Sequence, residues 1–351
     1  MKKLILTIAI LASAIVADAY DFYVVTNSQN IYLNIVSDNN GNPCAEVVAP
    51  PSGSYSGNII VPYRVSYDGQ TYDVAYIGRR AFFNAHNLIS VTLLDGALKG
   101  IKDEAFYLAR LEEITIPSSV TSIGERAFGY HPSASGGATV ETFFFSQLLK
   151  TVTINSESLL TSGKKVASMF GYAVEKYIIG EGVTAIGASA FSKGDYDAEM
   201  TTVILPKSLE TIGYQAFSKN RKLEKVFVPN DSRLVSIGEG AFGTCDNISE
   251  IFIPESVRSV GDYALYDMKG LQRVVDKSSA QMPIYLFGMG ASYSNISVYI
   301  SSKDKVGWYE KRGCGNVYLI GNGGNADEDV NHDGTVNSLD VLKVYKYMQS
   351  H

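Results

Sequence analysis

Ala-Phe pairs recur along the chain at a nearly constant interval, and no other feature limits so strongly what it can fold into. They stand at Ala81-Phe82, Ala105-Phe106, Ala127-Phe128, Ala190-Phe191, Ala216-Phe217 and Ala241-Phe242, with degenerate copies at Met169-Phe170, Ala264-Leu265 and Leu286-Phe287. The second residues are separated by 24, 22, 42, 21, 26, 25, 23 and 22 positions. Only the 42 breaks the period, and it holds the Ser/Gly-rich stretch His131 to Gly137, which reads as a loop insertion. An Ile-Gly step precedes many pairs (Ile77-Gly78, Ile123-Gly124, Ile186-Gly187, Ile212-Gly213, Ile237-Gly238), with Val260-Gly261 as a variant. An apolar alternation ending in proline follows several pairs, as in Leu111 to Pro117, Leu223 to Pro229 and Ile248 to Pro254.

Alternation of this kind makes a short strand whose spaced aliphatics point inward. Proline ends the ladder because it has no backbone N–H to donate. The Ile-Gly step reads as a tight turn, and the Phe as the core filler of the next coil. One unit cannot bury its apolar face alone, whereas stacked units form a continuous core. The expected fold is therefore a β-rich solenoid of short parallel strands.

These residues resemble the BspA-like leucine-rich repeat proteins of bacterial surfaces. Ile237 to Val257 follow that family's consensus almost throughout, including Cys245, Pro254 and Ser256-Val257. The resemblance implies a leucine-rich repeat solenoid over residues 76–290 and a role in adhesion to host matrix proteins and other cells. Residues 20–75 lack the repeat. Strands at Asn30 to Ile35 and Asn58 to Pro62, with a hairpin from Val65 to Tyr72 turning at Asp68-Gly69, predict an N-terminal β cap. Val298 to Ile300 and Val317 to Ile320 predict a closing β segment over residues 291–321, with Trp308 as a packing residue.

The first 19 residues read as a removable export signal. Lys2 and Lys3 precede the apolar run Leu4 to Val16, which ends in Ala17-Asp18-Ala19 before Tyr20. The run falls short of the ~20 residues a membrane span needs. No Cys follows it to carry a lipid, so a secreted or cell-surface location is expected. Three cysteines (Cys44, Cys245, Cys314) are too few for a disulfide framework, and Cys245 reads as a small buried core residue. Thirty Lys and Arg against 36 Asp and Glu give a formal charge of −6, which argues against phosphate-driven binding of nucleic acid.

Gly321 to Asn325 form a polar, glycine-rich stretch, and residues 322–328 read as a linker. Beyond it, Asp329, Asn331, Asp333, Thr335, Asn337 and Asp340 hold positions 1, 3, 5, 7, 9 and 12 of a loop with Gly334 at its sharp turn. That spacing wraps oxygens around a single Ca2+. With Asp closing the loop and a following stripe of Val341, Val344, Tyr345 and Met348, residues 329–351 resemble one dockerin repeat, a single loop-helix unit. Dockerins typically carry two. The resemblance implies that Ser338 and Leu339 would contact a cohesin-like partner, and the lone unit leaves self-pairing as a further expectation.

On the solenoid, the residue between the two inward aliphatics of each strand should point outward. Successive coils place Thr92, Thr115 and Thr153 there, then Ile178, Ile204, Phe227, Phe252 and Val275. In a continuous ladder with ~4.8 Å spacing those last five form an apolar stripe, expected to bind a protein or glycan ligand. Catalysis is not expected. Acidic neighbours such as Glu112-Glu113 face opposite ways, and His86 and His131 fall in turns without an assignable nucleophile. No zinc-ligand spacing occurs, and His332 lies within the calcium loop. The expected function is an exported, non-catalytic interaction protein. The alternative is a component of an extracellular polysaccharide-degrading complex, docked through its tail.

Overall fold

A computed structural model gives the fold of residues 20–129, 149–192, 199–288 and 293–319. The export signal, the insertion at 131–137, the linker and the calcium loop with Ser338 and Leu339 lie outside the described residues. Two compact units divide the chain, one reaching to Ile178 and one beginning at Ile179.

The first unit opens with β1 (Phe22–Thr26), β2 (Gln29–Ser37) and β3 (Pro43–Val47), an antiparallel meander. Asn27 and Ser28 at positive φ make the two-residue turn between β1 and β2. β4 (Gly57–Val61) follows, then the hairpin of β5 (Arg64–Tyr67) and β6 (Gln70–Ile77), which turns at Asp68-Gly69, both at positive φ. β3 and then β8 (Gly100–Ile101) pair in parallel with β6, and β10 (Ser122–Ile123) continues that ladder. On a second side, β4 pairs in parallel with β7 (Leu88–Leu93), and β9 (Glu113–Ile116) with β11 (Thr151–Ile154). Two short helices follow, α1 (Glu157–Leu160) and α2 (Val166–Phe170), and then β12 (Lys176–Ile179), which carries the division between the units.

In the second unit the short strands β13 (Ala185–Ile186), β15 (Thr211–Ile212), β17 (Ser236–Ile237) and β19 (Ser259–Val260) form one parallel ladder. On the other side β14 (Thr202–Ile204) pairs with β16 (Lys225–Phe227). A separate parallel sheet runs β18 (Glu250–Ile253), β20 (Arg273–Asp276), β21 (Ser297–Ile300) and β22 (Asn316–Leu319), with α3 (Val306–Glu310) between the last two strands.

The Ala-Phe segment forms a third side of each coil. Its N–H groups donate along the stack: Phe82 to Ala105 O at 2.7 Å, Phe217 to Ala241 O at 2.8 Å and Phe242 to Ala264 O at 2.9 Å. The rings stack inside: Phe82 on Phe106 at 4.7 Å and Phe106 on Phe128 at 4.9 Å in the first unit, Phe217 on Phe242 at 5.3 Å in the second. Phe170 in α2 still meets Phe128 at 5.2 Å in a tilted contact, so the degenerate copy keeps its ring in the core although a helix replaces the turn. Buried Tyr55 meets the first ring, Phe82, at 4.6 Å. Each fully buried Phe contributes roughly 1.5–3 kcal/mol of burial.

The Ile-Gly step differs from its expected role. Its Ile belongs to the short ladder, and the Gly follows the strand without the left-handed φ that a tight turn would ask of it. The glycine is required by close approach. A Cβ on Gly238 would stand 2.6 Å from the Gly213 carbonyl carbon and 2.7 Å from the Tyr214 nitrogen. The left-handed positions fall two residues later, at Arg80, Glu104, Arg126, Gln215 and Tyr263, where the chain bends into Ala-Phe.

Candidate ligand face

The outward row of the second unit's last sheet is set by strand alternation. Val274 and Val298 point inward and are fully buried, which turns their neighbours out. Register aligns Phe252 with Val275, Val275 with Tyr299 and Tyr299 with Tyr318, so four half-buried side chains share one row. The Tyr299 and Tyr318 rings stack at 5.0 Å. Arg273 lies over Tyr299 at 5.5 Å and Lys277 over Phe252 at 5.9 Å, so cations flank the aromatic row. Arg273 also pairs with Glu250 at 3.2 Å. Burial pushes the Glu250 carboxyl above its ordinary range, and the guanidinium pulls it partly back.

Behind this row an inward ladder position carries charge. Ile253, Asp276 and Ile300 are in register, and Asp276 is fully buried. Its Oδ2 accepts from Lys305 Nζ at 2.7 Å and from the Tyr309 hydroxyl at 3.0 Å. Its Oδ1 accepts from Ser278 Oγ at 2.6 Å and the Ser278 N–H at 2.9 Å. Lys305 Nζ also donates to Ser278 O and Oγ, both at 2.8 Å. This network ties the strand to the segment that packs beneath β22.

The five expected face residues do not form one exposed stripe. Ile178 is half-buried in β12 of the first unit. Ile204 is only 9% exposed, in register with Phe227. Phe227, Phe252 and Val275 are half-buried, and the ladder is interrupted between β16 and β18. Phe252 and Val275 share a row; Phe227 lies across the interruption. Tyr299 and Tyr318 were missing from the expected face. Val298-Tyr299-Ile300 and Val317-Tyr318-Leu319 carry the same alternation as the repeats, and reading them only as a closing segment hid the row's continuation.

Cys245 is fully buried and its thiol donates to Phe217 O at 3.1 Å. Burial pushes that thiol up to about 12. Trp308 packs edge-on to Tyr309 at 4.8 Å and under Arg312 at 3.9 Å. Among the described residues, no cluster of three or more His, Cys, Asp or Glu side chains could hold a metal ion, and no helix is long and apolar enough to cross a membrane.

Short parallel strands repeated coil upon coil around an apolar core in each unit define a leucine-rich repeat, solenoid-like protein. The family described as "BspA type Leucine rich repeat region" matches residues 70–157 and 167–290 in six copies, more than half of the chain, and the chain belongs to that family. Solved structures similar to it include a leucine rich cell surface protein from Faecalibacterium prausnitzii A2-165, at 17% identity and TM-score 0.30, covering 89% of this chain and 97% of that one. A leucine-rich repeat protein from Bacteroides ovatus ATCC 8483 matches at 18% identity and TM-score 0.33, covering 86% and 100%. The pneumococcal vaccine antigen PcpA matches at 14% and 0.27, covering 86% and 99%. No curated protein matches the chain.

Proposed function

We propose that this chain is an exported, non-catalytic interaction protein that binds a protein or glycan ligand on the outward face of its second unit. The observation that carries this reading is the in-register row Phe252, Val275, Tyr299 and Tyr318, flanked by Arg273 and Lys277. Aromatic rings beside cations bring large contact area at low entropic cost, the composition favoured at binding surfaces. The strands of residues 20–75 are the N-terminal cap in this reading, and residues 291–321 close the other end.

The test is binding of the full chain to arrays of extracellular-matrix proteins and purified polysaccharides. Val275→Glu and Tyr299→Glu, both at half-exposed positions, should each weaken capture at least tenfold while leaving the far-ultraviolet circular dichroism unchanged. Undiminished capture by both folded variants refutes this face.

The tail supports a second function. Asp329, Asn331, Asp333, Thr335, Asn337 and Asp340 would hold Ca2+, and Ser338 and Leu339 would meet a cohesin-like partner or a second copy. Calorimetric calcium titration with and without residues 322–351, alongside sedimentation, separates these outcomes. Tail-dependent binding with a rise in mass supports self-pairing, and binding without one supports a separate partner. No heat refutes the calcium site.

A further inference from the structure

The strand ladder is interrupted between β16 and β18. Most Cα pairs between these strands lie more than 8 Å apart. One ladder spacing is ~4.8 Å, and leaving out one strand opens roughly 9–10 Å. Elsewhere the same coils stay joined: Ile212, Ile237 and Val260 are in register on the short ladder, and Phe217 still donates to Ala241 O at 2.8 Å. The stack therefore opens on its strand side alone.

The sequence supplies a cause. The first aliphatic after each strand-ending proline comes three residues on at Pro117-Val120, Pro206-Leu209 and Pro254-Val257. After Pro229 it comes five residues on, at Leu234. The N–H three residues past the proline still donates to the proline carbonyl in every case, but here that N–H belongs to Ser232. Two extra residues lengthen this coil just where the ladder parts. Val226, at an inward position, is half-buried rather than buried, as an open flank requires. Beneath lies an apolar cavity lined by Val226, Val228, Ile251, Phe252 and Ile253, with room for about one water-sized group.

We propose that this gap is a β-strand addition site, filled by an extended peptide segment of a partner protein. Facing strand edges present a row of backbone N–H and C=O groups on each side, and among biological ligands an extended peptide is what complements both at the ladder spacing. The apolar floor selects a small aliphatic side chain at the inward position. The inference deepens the reading above, resting on the strand side of the second unit as the ligand face and naming an extended peptide as the ligand class.

The probe is a fluorescein-labelled peptide with the sequence of residues 111–117 of this chain, itself a strand of the repeat. Anisotropy with the full chain should saturate below about 1 mM, and N-methylation of alternate peptide amides should weaken binding at least tenfold. Hydrogen exchange of the amides at 226–228 and 250–252 should slow when the peptide is added. Deleting Ser232 and Arg233 restores the three-residue spacing, and this variant should close the ladder and lose the peptide. Absence of saturation, or equal binding of the methylated peptide, overturns the proposal with the unaltered protein alone. Tyr299→Glu leaves the gap intact, so its loss of array capture and the peptide result fail independently.

Discussion

Asp276 and Lys305 allow a buried ion pair to be weighed against the aliphatic it replaces. Replacing Lys305 by Met leaves a fully buried carboxylate without its ammonium. Breaking such a pair from one side costs about 3–5 kcal/mol. Ser278 and Tyr309 still donate to the carboxylate, which places the expected loss near 3 kcal/mol, roughly a hundredfold in the folding equilibrium. Asp276→Ile with Lys305→Met restores the aliphatic that Ile253 and Ile300 hold in register, yet leaves the Tyr309 hydroxyl, the Ser278 Oγ and the Ser278 N–H without their acceptor, at about 1–3 kcal/mol each. Adding Tyr309→Phe removes one of those groups. Both Ser278 donors stay unpaired, so the triple variant should recover only part of the single variant's loss. Trp308 is the single tryptophan and its ring lies 4.8 Å from that of Tyr309, so its fluorescence in urea follows this segment directly. A Lys305→Met protein within about 0.5 kcal/mol of the parent, or a triple variant no more stable than the single one, refutes the reasoning.

Three further outcomes follow from local chemistry. Lys99, with the N–H groups of Asn42 and Asn40, holds the Asp38 carboxyl well below the usual carboxylate range. A depressed folded-state value means that this stability is present above about pH 4 and is lost as pH falls through the folded value, so Asp38→Asn should flatten the acid limb of urea midpoints taken from about pH 6 to about pH 2. Gly238→Ala, whose Cβ would meet backbone of the neighbouring coil at 2.6 Å, should cost about 1–3 kcal/mol. Faster exchange at the Gly238 and Gly261 amides, which donate to the Ile212 and Ile237 carbonyls of the short ladder, is the check. Cys44, Cys245 and Cys314 are all buried, with burial raising each thiol, Cys314 up to about 11. Ellman's reagent at about pH 8 should therefore titrate none before unfolding and three afterwards.

What can be read from the letters and what needs coordinates divides along physical lines. Burial of an apolar side chain leaves a periodic trace, so the Phe stack and the inward Val and Ile of each strand were legible as soon as the period was counted. Close approach leaves only a glycine, and Gly238 reads equally well as a turn or as a contact until the neighbouring coil is in place. Continuity is harder still. Tyr299 follows only the degenerate Leu286-Phe287 and Tyr318 follows no such pair, so pattern matching stops one coil before the ladder does. Asp276 breaks the inward pattern because its partner Lys305 lies 29 residues on, a separation no periodicity encodes. The gap beside β16 is the opposite case. The letters hold its cause, two residues added between Pro229 and Leu234, but not its consequence. A longer coil can bulge outward or part from its neighbour, and only the register of β14 on β16 and of β18 on β20, with no ladder pairing between β16 and β18, decides between them. Repeats advertise what they share, and binding specificity is to be sought where one coil departs from the rest.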